Sequence, residues 1–490
     1  MLNWAAMLVS MLVQFFLSPF TVHHLGNLVY SVWILVVSTV AYFNLLDLGL
    51  RSAIVRFVSK GYTQGLHEDA RKVVCTALWL RIGIGTAIVL LGTGLAAAFP
   101  RLFTIPTELR QATRLSIILI ATSLAITLAS GVLGAVLAAI HRFDLLSFVN
   151  IFRAFARMAG FVWLLRHGYG IVALAAWELL AAVLTGVGLT WFCWITYPEL
   201  RAFFGPPDMA VMRKICGYSI YVFIGTIGGA IVYHTDNIVV GMFVTTSAVT
   251  YFAIAGNLVA YAREILFAMS STFVPLASGF EAEGKNEKLR HLLIQGTRAS
   301  LVLFLPVCIA LFFRGHTFIS LWMGREYAVI SGTLIQILLL NQVLAMANIT
   351  AGGIAYGMEK HRPSAIWAIG EAIANLTLSI LLVRRMGIYG VAWGTVIPGI
   401  VINLICWPYY ISTFLDISAY EYIWKGWGYA ALAATPYGLA CRWEEQHLVA
   451  NNLAVFFIQI IAILPLFLLA CVVVFWKQVR PHFYRRLGWV

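Results

Sequence analysis

The sequence predicts an all-α integral membrane protein of about fourteen transmembrane helices. The chain of 490 residues is 61% hydrophobic and only 11% charged, which is far more apolar than a water-soluble fold of this length. Apolar runs of about 20 residues also recur along its whole length, and each is long enough to cross roughly 30 Å of hydrocarbon as a helix. The stretches between the runs are too short to form a separate soluble domain.

The apolar runs locate the individual helices. They cover 2–20, 28–50, 73–99, 115–140, 146–165, 171–196, 214–235, 248–276, 299–316, 330–354, 364–383, 388–411, 426–441 and 452–476. The first run has neither a basic leader nor a clear small-residue cleavage site, so we interpret it as a retained span and not as a signal peptide. An even number of spans places both termini on the same side of the membrane.

Basic residues indicate which side that is. If both termini face the cytoplasm, 22 of the 33 Lys and Arg residues fall on inner loops and helix ends, 9 fall on the outer side, and Arg81 and Arg263 lie inside helices. Positive charge accumulates on cytoplasmic loops, so we expect cytoplasmic termini. This topology explains most of the net charge of +13 without a nucleic-acid partner. The seven cysteines are scattered singly and show no spacing typical of a metal or redox site.

The chain also contains an internal repeat of roughly 217 to 220 positions. The segment LLRHGYGIVALAA (164–176) aligns with LLVRRMGIYGVAW (381–393), and His141-Arg142 aligns with His361-Arg362. Spans 1–6 and 7–12 therefore form two copies, and an even number of spans per copy gives both copies the same orientation. Spans 13 and 14 lie outside the repeat.

Two segments carry a family resemblance. HHLGNLVYSVWILVVSTVAYFNLLDLGLRSAIVRFVSKG (23–61) contains a Leu-Gly, a Tyr-x-x-Trp and an Asp-x-Gly before an Arg-rich loop, and HTDNIVVGMFVTTSAVTYFAIA (234–255) contains an Asp-Asn pair, a Gly and a later tyrosine followed by alanines, Tyr-Phe-Ala-Ile-Ala. The chain resembles the polysaccharide-transport and oligosaccharide-flippase family of the multidrug/oligosaccharidyl-lipid/polysaccharide exporter superfamily. It differs from the usual pattern at its start, where a short inner segment commonly precedes the first span, and at 242–247, where a second glycine is expected.

The resemblance implies two pseudo-symmetric six-helix lobes, as in multidrug and toxin extrusion (MATE) transporters, followed by two further helices. The expected divisions are 1–200, 201–411 and 412–490. The implied function is that of a flippase, not an enzyme. It would carry an oligosaccharide linked to undecaprenyl pyrophosphate from the cytoplasmic to the periplasmic leaflet of a bacterial inner membrane by alternating access. The implied partners are this substrate, membrane lipid, a polysaccharide polymerase and a chain-length regulator, and no cofactor or metal is expected.

Three other functions were considered. A flippase of the peptidoglycan precursor lipid II would also be cationic and fourteen-spanning, so only substrate assays separate it from the first interpretation. A cation-coupled drug antiporter would favour acidic residues in its cavity, whereas the first lobe here carries more arginines than acids inside or near its spans. A membrane polymerase or ligase would need a large outer loop with catalytic residues, and the sequence shows neither such a loop nor a catalytic motif.

Arginines inside the spans are the first candidates for binding the anionic head of a lipid-linked substrate. Arg81 lies about eight residues, or ~12 Å, into the third span, and Arg263 lies near the middle of the eighth. Arg presents a planar set of donors that suits phosphate oxygens, and charged residues inside a membrane are usually functional. The alternative for each is a structural ion pair, with Glu264 beside Arg263 and a carboxylate or carbonyl of a neighbouring helix near Arg81.

Two further pairs of charged residues lie at span ends. Asp47 and Arg51 are four residues apart, so on a continuous helix they share one face, and we expect Asp47 to hold Arg51 toward the interior of the first lobe. Arg153 and Arg157 have the same spacing on the fifth span. They form either a second basic binding position for the substrate in that lobe or an interfacial pair whose side chains extend toward the lipid headgroups.

Acidic residues within or at the ends of spans are candidates for proton or sodium coupling, because a carboxylate shielded from water can titrate near neutral pH. These candidates are Glu178, Asp236, Glu264 and Glu371. The alternatives are helix capping for Asp236, at the end of the seventh span, and ion pairing for Glu264.

Overall fold

The structure is a computed structural model that describes residues 2–47, 49–200, 205–216 and 235–475, with the side chains at 2–4 and 265–271 left out. The described residues form α-helices with short 3-10 and π segments and contain no strand. The predicted all-α class is therefore confirmed. The chain divides into two compact units, Met1–Thr250 and Tyr251–Val490. The lobe boundary expected after residue 200 lies next to the undescribed segment 201–204 and stays a prediction.

Ten segments of the described residues are long and apolar enough to cross a membrane. One of them, Ala5–Asp47, covers most of the first two predicted spans, 2–20 and 28–50. Its helix is interrupted at Gly26, where φ is 73° and ψ is 163°, so the two predicted spans lie on either side of this break. The predicted span 214–235 lies mostly outside the described residues. The count of fourteen spans is therefore not confirmed.

The first unit is built from six labelled helices. These are α1 (Leu2–Ala41), α2 (Leu50–Thr63), α3 (His67–Leu102), α4 (Thr107–Ala139), α5 (Phe143–Arg166) and α6 (Ile171–Thr196). Helix α4 packs between α3 and α6, and α5 packs against α1 and α6. A short 3-10 helix, Tyr42–Asp47, follows α1, and residues 209–216 and 235–243 are also helical.

Small residues allow α3 and α4 to approach closely. A Cβ atom added at Gly92 would lie 2.6 Å from the Cβ of Ala121, and one added at Gly85 would lie 3.2 Å from the Cβ of Ala125. Helices in lipid gain little from burying apolar surface against each other, so they depend on such close van der Waals contact. The glycines, seven residues apart on α3, therefore fix where α4 crosses it.

Helix α2 is a short amphipathic helix and not a span. Its 14 residues bury Leu50, Ala53, Ile54 and Val58, which follow the three- and four-residue spacing of one helical face. This face packs against α3 and α4, and the opposite face carries exposed polar and charged residues. The second predicted span, 28–50, therefore ends in the structure at the 3-10 helix before α2.

The second unit contains the remaining labelled helices. These are α7 (Ala248–Ala282, whose first residues lie in the first unit), α8 (Asn286–Trp322), α9 (Arg325–Ala347), α10 (Ile349–Gly357), α11 (Arg362–Met386), α12 (Ile388–Val401), α13 (Trp407–Leu415), α14 (Ala419–Tyr422), α15 (Tyr429–His447) and α16 (Leu453–Val474). Two π segments, Ile402–Cys406 and Ile423–Gly428, join α12 to α13 and α14 to α15. The last two helices, α15 and α16, pack against each other and against α8.

The segments matched by the internal repeat each contain a glycine-bearing turn between two helices. In the first copy α5 ends at Arg166, Gly168 has a φ of 77°, and α6 begins at Ile171. In the second copy α11 ends at Met386, Gly387 has a φ of 56°, and α12 begins at Ile388. Ile171 and Ile388 occupy the same position in the sequence alignment, and each begins the second helix. The turns differ in detail, because Gly170, which aligns with Gly387, has a φ of −94°.

Candidate functional site: a basic cavity in the first unit

Two adjoining cavities lie among the helices of the first unit. The first has a volume of about 460 Å³ and is lined by residues of α1, α2, α5 and α6. The second has a volume of about 310 Å³ and is lined by residues of the 3-10 helix Tyr42–Asp47 and of α2 to α6. Both cavities are lined by Arg51, Leu146, Asn150 and Arg153. The two volumes therefore meet at a wall that carries two arginines and an amide.

Helix α5 directs its two arginines into the first cavity. Arg153 and Arg157 both line it, as expected for residues four apart on one helical face. Arg157 lies 14 residues, or about 21 Å at 1.5 Å per residue, from the Phe143 end of α5. It is therefore near the middle of the helix, farther from the end than the sequence indicated.

Arg157 forms an ion pair with an acid of the neighbouring helix. Its Nε atom lies 2.5 Å from Oε1 of Glu178 on α6, whose side chain is only 12% exposed. The Arg157 guanidinium also lies 5.2 Å from the ring centre of Phe161. Glu178, which the sequence proposed as a coupling residue, therefore neutralises one arginine of the first cavity.

Arg81 lines the second cavity and forms an ion pair with Asp47. The two side chains differ in exposure, because Arg81 is 3% exposed and Asp47 is 29% exposed. The Nε atom of Arg81 is buried and has no hydrogen-bond acceptor among the described residues. Arg81 is thus held by an ion pair and also belongs to the wall of a cavity; its role in binding a ligand stays a prediction.

The expected pairing of Asp47 with Arg51 is wrong. That expectation assumed one continuous helix, but Asp47 ends the 3-10 helix and Arg51 lies in the first turn of α2. Between them Gly49 has a φ of 68° and a ψ of 19°, a left-handed conformation that glycine adopts without steric cost. Because the chain changes direction here, Asp47 forms its ion pair with Arg81, and Arg51 remains exposed and lines both cavities.

The two cavities together carry a surplus of positive charge. Their walls contain four arginines, Arg51, Arg81, Arg153 and Arg157, and two acids, Asp47 and Glu178, which gives a formal charge of +2. Neither Arg51 nor Arg153 lies within ion-pair distance of a carboxylate in the described part of the chain. Unbalanced charge at membrane depth is costly, so this arrangement suits an anionic ligand.

Neutral polar residues of the cavity were missed at the sequence level. Asn150 lines both cavities, and Ser10 and Gln14 of α1 line the first. A signal was present, since Asn150, Arg153 and Arg157 follow the helical spacing of one face, and Ser10 and Gln14 are four residues apart. Amides and hydroxyls provide both donors and acceptors, as a sugar-bearing ligand requires.

The other predicted site residues lie elsewhere. Arg263 and Glu264 belong to α7 of the second unit, where Arg263 is half-buried and Glu264 is exposed. Asp236 is buried within helical residues 235–243, and Glu371 is half-buried in α11. None of these four lines the two cavities, and their roles stay predictions. No group of three or more His, Cys, Asp or Glu in the described ranges is arranged to hold a metal ion.

A second cluster of charges lies in the second unit around Arg314, which falls near the end of the predicted ninth span, 299–316. Arg314 is fully buried within α8, which continues to Trp322. It donates hydrogen bonds to Glu444 (2.8 Å) and Glu445 (3.3 Å) of α15 and to Gln459 (2.8 Å) of α16. The predicted ninth span, 299–316, contains Arg314 but ends before the helix does, at Trp322. The sequence pattern did not indicate the partners of Arg314, because they come from helices that are distant along the chain.

The comparisons with known proteins agree with this architecture. A model of the family described as polysaccharide biosynthesis protein matches residues 29–332, more than half of the chain. A probable low-salt glycan biosynthesis flippase, Agl15 of Haloferax volcanii, is 23% identical over 57% of this chain and 57% of its own length. An uncharacterized membrane protein, EpsK of Bacillus subtilis, is 22% identical over 84% of this chain and 82% of its own length.

Solved structures extend the likeness to the fold. The lipid II flippase MurJ in an inward closed conformation matches with a TM-score of 0.72 and 15% identity, covering 99% of this chain and 98% of MurJ. An inward-facing MATE multidrug transporter matches with a TM-score of 0.70 and 15% identity, covering 84% of this chain and 94% of the transporter. At such identity the likeness concerns the fold alone. The family match, which covers residues 29–332, shows that this multi-pass membrane protein belongs to the polysaccharide biosynthesis protein family.

Proposed function

We propose that the protein moves an oligosaccharide linked to undecaprenyl pyrophosphate across the cytoplasmic membrane, from the inner to the outer leaflet. The observation that carries this proposal is the basic cavity of the first unit, with four arginines and two acids in a chain that is only 11% charged. The family match supports the flippase class. Translocation breaks and forms no covalent bond, so the mechanism needs binding groups and not catalytic ones.

The charge of the cavity fits a diphosphate. Arg51 and Arg153 have no described carboxylate partner and line both cavities, so each can direct two donors at phosphate oxygens. Arg81 and Arg157 are balanced by Asp47 and Glu178. A diphosphate of about two negative charges would therefore bring the cavity close to neutrality, which lowers the cost of holding the head at membrane depth.

The volumes and the polar lining fit the head of such a lipid. Volumes of about 460 and 310 Å³ lie within the range of pockets that enclose small ligands. Ser10, Gln14 and Asn150 offer hydrogen bonds to sugar hydroxyls beside the two free-standing arginines. We propose that the first sugars and the diphosphate occupy this space while the polyprenyl chain stays in the lipid.

The remaining expectations from the sequence belong to the same proposal. The excess of basic residues on one set of loops supports cytoplasmic termini in a bacterial inner membrane. Two like-oriented lobes, 1–200 and 201–411, with the extra segment 412–490, would alternate access, and Arg263 would serve the second lobe. A polysaccharide polymerase and a chain-length regulator are the expected functional partners.

The proposal is tested by reconstitution. Proteoliposomes containing a synthetic polyprenyl-diphosphate oligosaccharide are treated with a membrane-impermeant glycosidase, which reports the rate at which the sugar reaches the outer leaflet. A charge-assisted hydrogen bond contributes about 1.5–3 kcal/mol, so we expect Arg51→Ala and Arg153→Ala each to slow translocation about tenfold or more. Lys at either position should retain part of the rate, because the charge remains.

The matched control is Arg166→Ala, on the same helix as Arg153 but exposed at its end and outside both cavities. Wild-type rates in both cavity variants would show that the cavity does not bind the head. Lipid II and an organic cation are tested in parallel vesicles. Transport of lipid II alone would make this a peptidoglycan-precursor flippase, and transport of the cation alone would make it an antiporter.

The same vesicles test the proposed coupling residues. Translocation is measured with an imposed proton gradient, a sodium gradient or neither, first for the wild type. Variants with Gln or Asn at the four acids, Glu178, Asp236, Glu264 and Glu371, are then compared. A coupling residue loses the response to the gradient while keeping the rate seen without it, whereas a structural residue loses both.

A further inference from the structure

A second basic pocket lies outside the cavity described above, at the end of α2. Its volume is about 270 Å³, and it is lined by three lysines from three different elements: Lys60 of α2, Lys72 of α3 and Lys214 of helical residues 209–216. The only carboxylate among its lining residues is Asp69. The lining therefore has a formal charge of +2. The pocket shares no lining residue with the two cavities of the candidate site.

The turn between α2 and α3 brings these lysines together. The backbone N–H of Leu66 donates to the carbonyl of Gly61 (2.8 Å), and that of Gly65 donates to Tyr62 (3.2 Å). This is the Schellman arrangement that ends many helices, with the glycine in the left-handed conformation, and Gly65 has a φ of 70°. The turn reverses the chain so that Lys60, near the end of α2, faces the first turns of α3.

Close packing fixes the floor of the pocket. A Cβ atom added at Gly61 would lie 3.0 Å from the Cβ of Ala70, so α2 and α3 approach as closely as their backbones allow. The Lys214 ammonium lies 5.0 Å from the ring centre of Phe57, which holds the third lysine over the same floor. The pocket is thus assembled from packed helices and is not a chance group of surface side chains.

The lysines lie near few acids in the described structure: besides Asp69, Glu68 interacts electrostatically with one of them, Lys72. None of the three forms an ion pair with a described carboxylate, and all three side chains are exposed. Their mutual repulsion is balanced in part by Asp69 and Glu68 and otherwise by whatever anion enters the pocket. Gln64, which also lines it, offers a further amide donor.

The rest of the lining is apolar, which distinguishes a lipid from a small soluble anion. Val73, Val211 and Ile215 line the pocket beside the lysines, and Leu66 at its edge is 48% exposed. The neighbouring Tyr62 is 45% exposed. The pocket also lies just before the apolar run 73–99 of α3, where the helix leaves the hydrocarbon region.

We propose that this pocket binds the phosphate of an anionic phospholipid of the surrounding membrane, with the lysines contacting the headgroup and the apolar edge contacting the first part of the acyl chains. Basic pockets beside transmembrane helices recognise such headgroups. The site is independent of the transport cavity, and the proposal does not rest on the identity of the transported lipid.

The test compares membranes of defined composition. Purified protein is placed in nanodiscs of phosphatidylcholine alone or with phosphatidylglycerol, and lipid retained after extraction is counted by native mass spectrometry. We expect the wild type to retain phosphatidylglycerol preferentially. Lys60→Gln/Lys72→Gln/Lys214→Gln should reduce that preference at least about fivefold, the effect of losing one basic residue near an anionic membrane surface. The triple Arg variant, which keeps the charges, should retain the preference.

The matched control is Lys285→Gln/Lys288→Gln/Lys360→Gln, which removes the same charge from exposed lysines of the second unit. Two of these lysines also lie over aromatic rings, as Lys214 does. An equal loss in this control would overturn the proposal, because the effect would then be one of net charge. So would equal retention of both lipids by the wild type, or displacement of phosphatidylglycerol by millimolar inorganic phosphate, which would identify a site for a soluble anion.

Discussion

The ion pair between Arg81 and Asp47 makes a quantitative prediction because its partners are unequally buried. Arg81 is 3% exposed, whereas Asp47 is 29% exposed and reaches the second cavity. The informative substitutions keep volume while they remove charge, namely Asp47→Asn and Arg81→Met. We expect the first to destabilise the protein more than the second.

The magnitudes follow from the charge that each substitution leaves behind. Removing one partner of a buried ion pair costs about 3–5 kcal/mol when the other stays buried and charged. Asp47→Asn leaves Arg81 buried and charged without its partner, so we expect the free energy of unfolding to fall by about 3–4 kcal/mol. Arg81→Met leaves Asp47, which water in the cavity can hydrate, so the loss should be about 1–2 kcal/mol. In the Arg81→Met background, Asp47→Asn should cost less than about 1 kcal/mol.

The measurement is the free energy of unfolding in a reversible detergent titration, applied to the wild type, both single variants and the double variant. The double-mutant cycle then isolates the coupling between the two side chains. Our reasoning would be refuted if Arg81→Met were the more damaging substitution, or if the two effects were additive. Translocation by the same variants separates stability from transport, because only a residue that contacts the anion should lose rate at full folded yield.

Two more predictions concern packing and the last two helices. Gly92→Ala should destabilise the protein by about 1–3 kcal/mol through overpacking, because its Cβ would meet Ala121. The control Gly94→Ala has open space around the new Cβ and should not destabilise the protein. Equal effects of the two substitutions on thermal unfolding would contradict the close contact. Arg314→Met should lower the free energy of unfolding by about 3–5 kcal/mol and raise hydrogen exchange in α15 and α16. The control Arg442→Gln, at an exposed residue of α15, should change neither quantity. Unchanged hydrogen exchange in Arg314→Met would show that the buried cluster does not anchor these helices.

The spans could be predicted from the sequence because lipid exposure imposes long apolar runs. The runs 73–99 and 171–196, for example, lie within or match α3 and α6. Their ends could not be predicted as well. Helix α8 begins at Asn286, well before the predicted 299, because a helix continues into water with charged residues that a hydropathy window rejects.

The composition of the candidate site could be predicted, but its pairing could not. Arg153 and Arg157 share a cavity as their spacing indicated, since that spacing acts within one helix. The partners of Arg81 and Arg157 come from other elements, the 3-10 helix and α6. Such pairing depends on how helices cross, which a single sequence does not record. The error at Asp47 had a visible cause, because Gly49 stands between it and Arg51.

The acids of the cavity are as important to the proposed function as its arginines. A cavity with four unbalanced arginines would bind a diphosphate tightly and release it slowly, because leaving would restore four repelling charges. Asp47 and Glu178 remove two of those charges through ion pairs. Their carboxylates also compete with phosphate oxygens for Arg81 and Arg157. When the proposed ligand leaves, these two arginines keep their ion pairs with Asp47 and Glu178, which lowers the electrostatic cost of release. We therefore expect a surplus of two charges to allow both binding and release of the proposed anionic ligand.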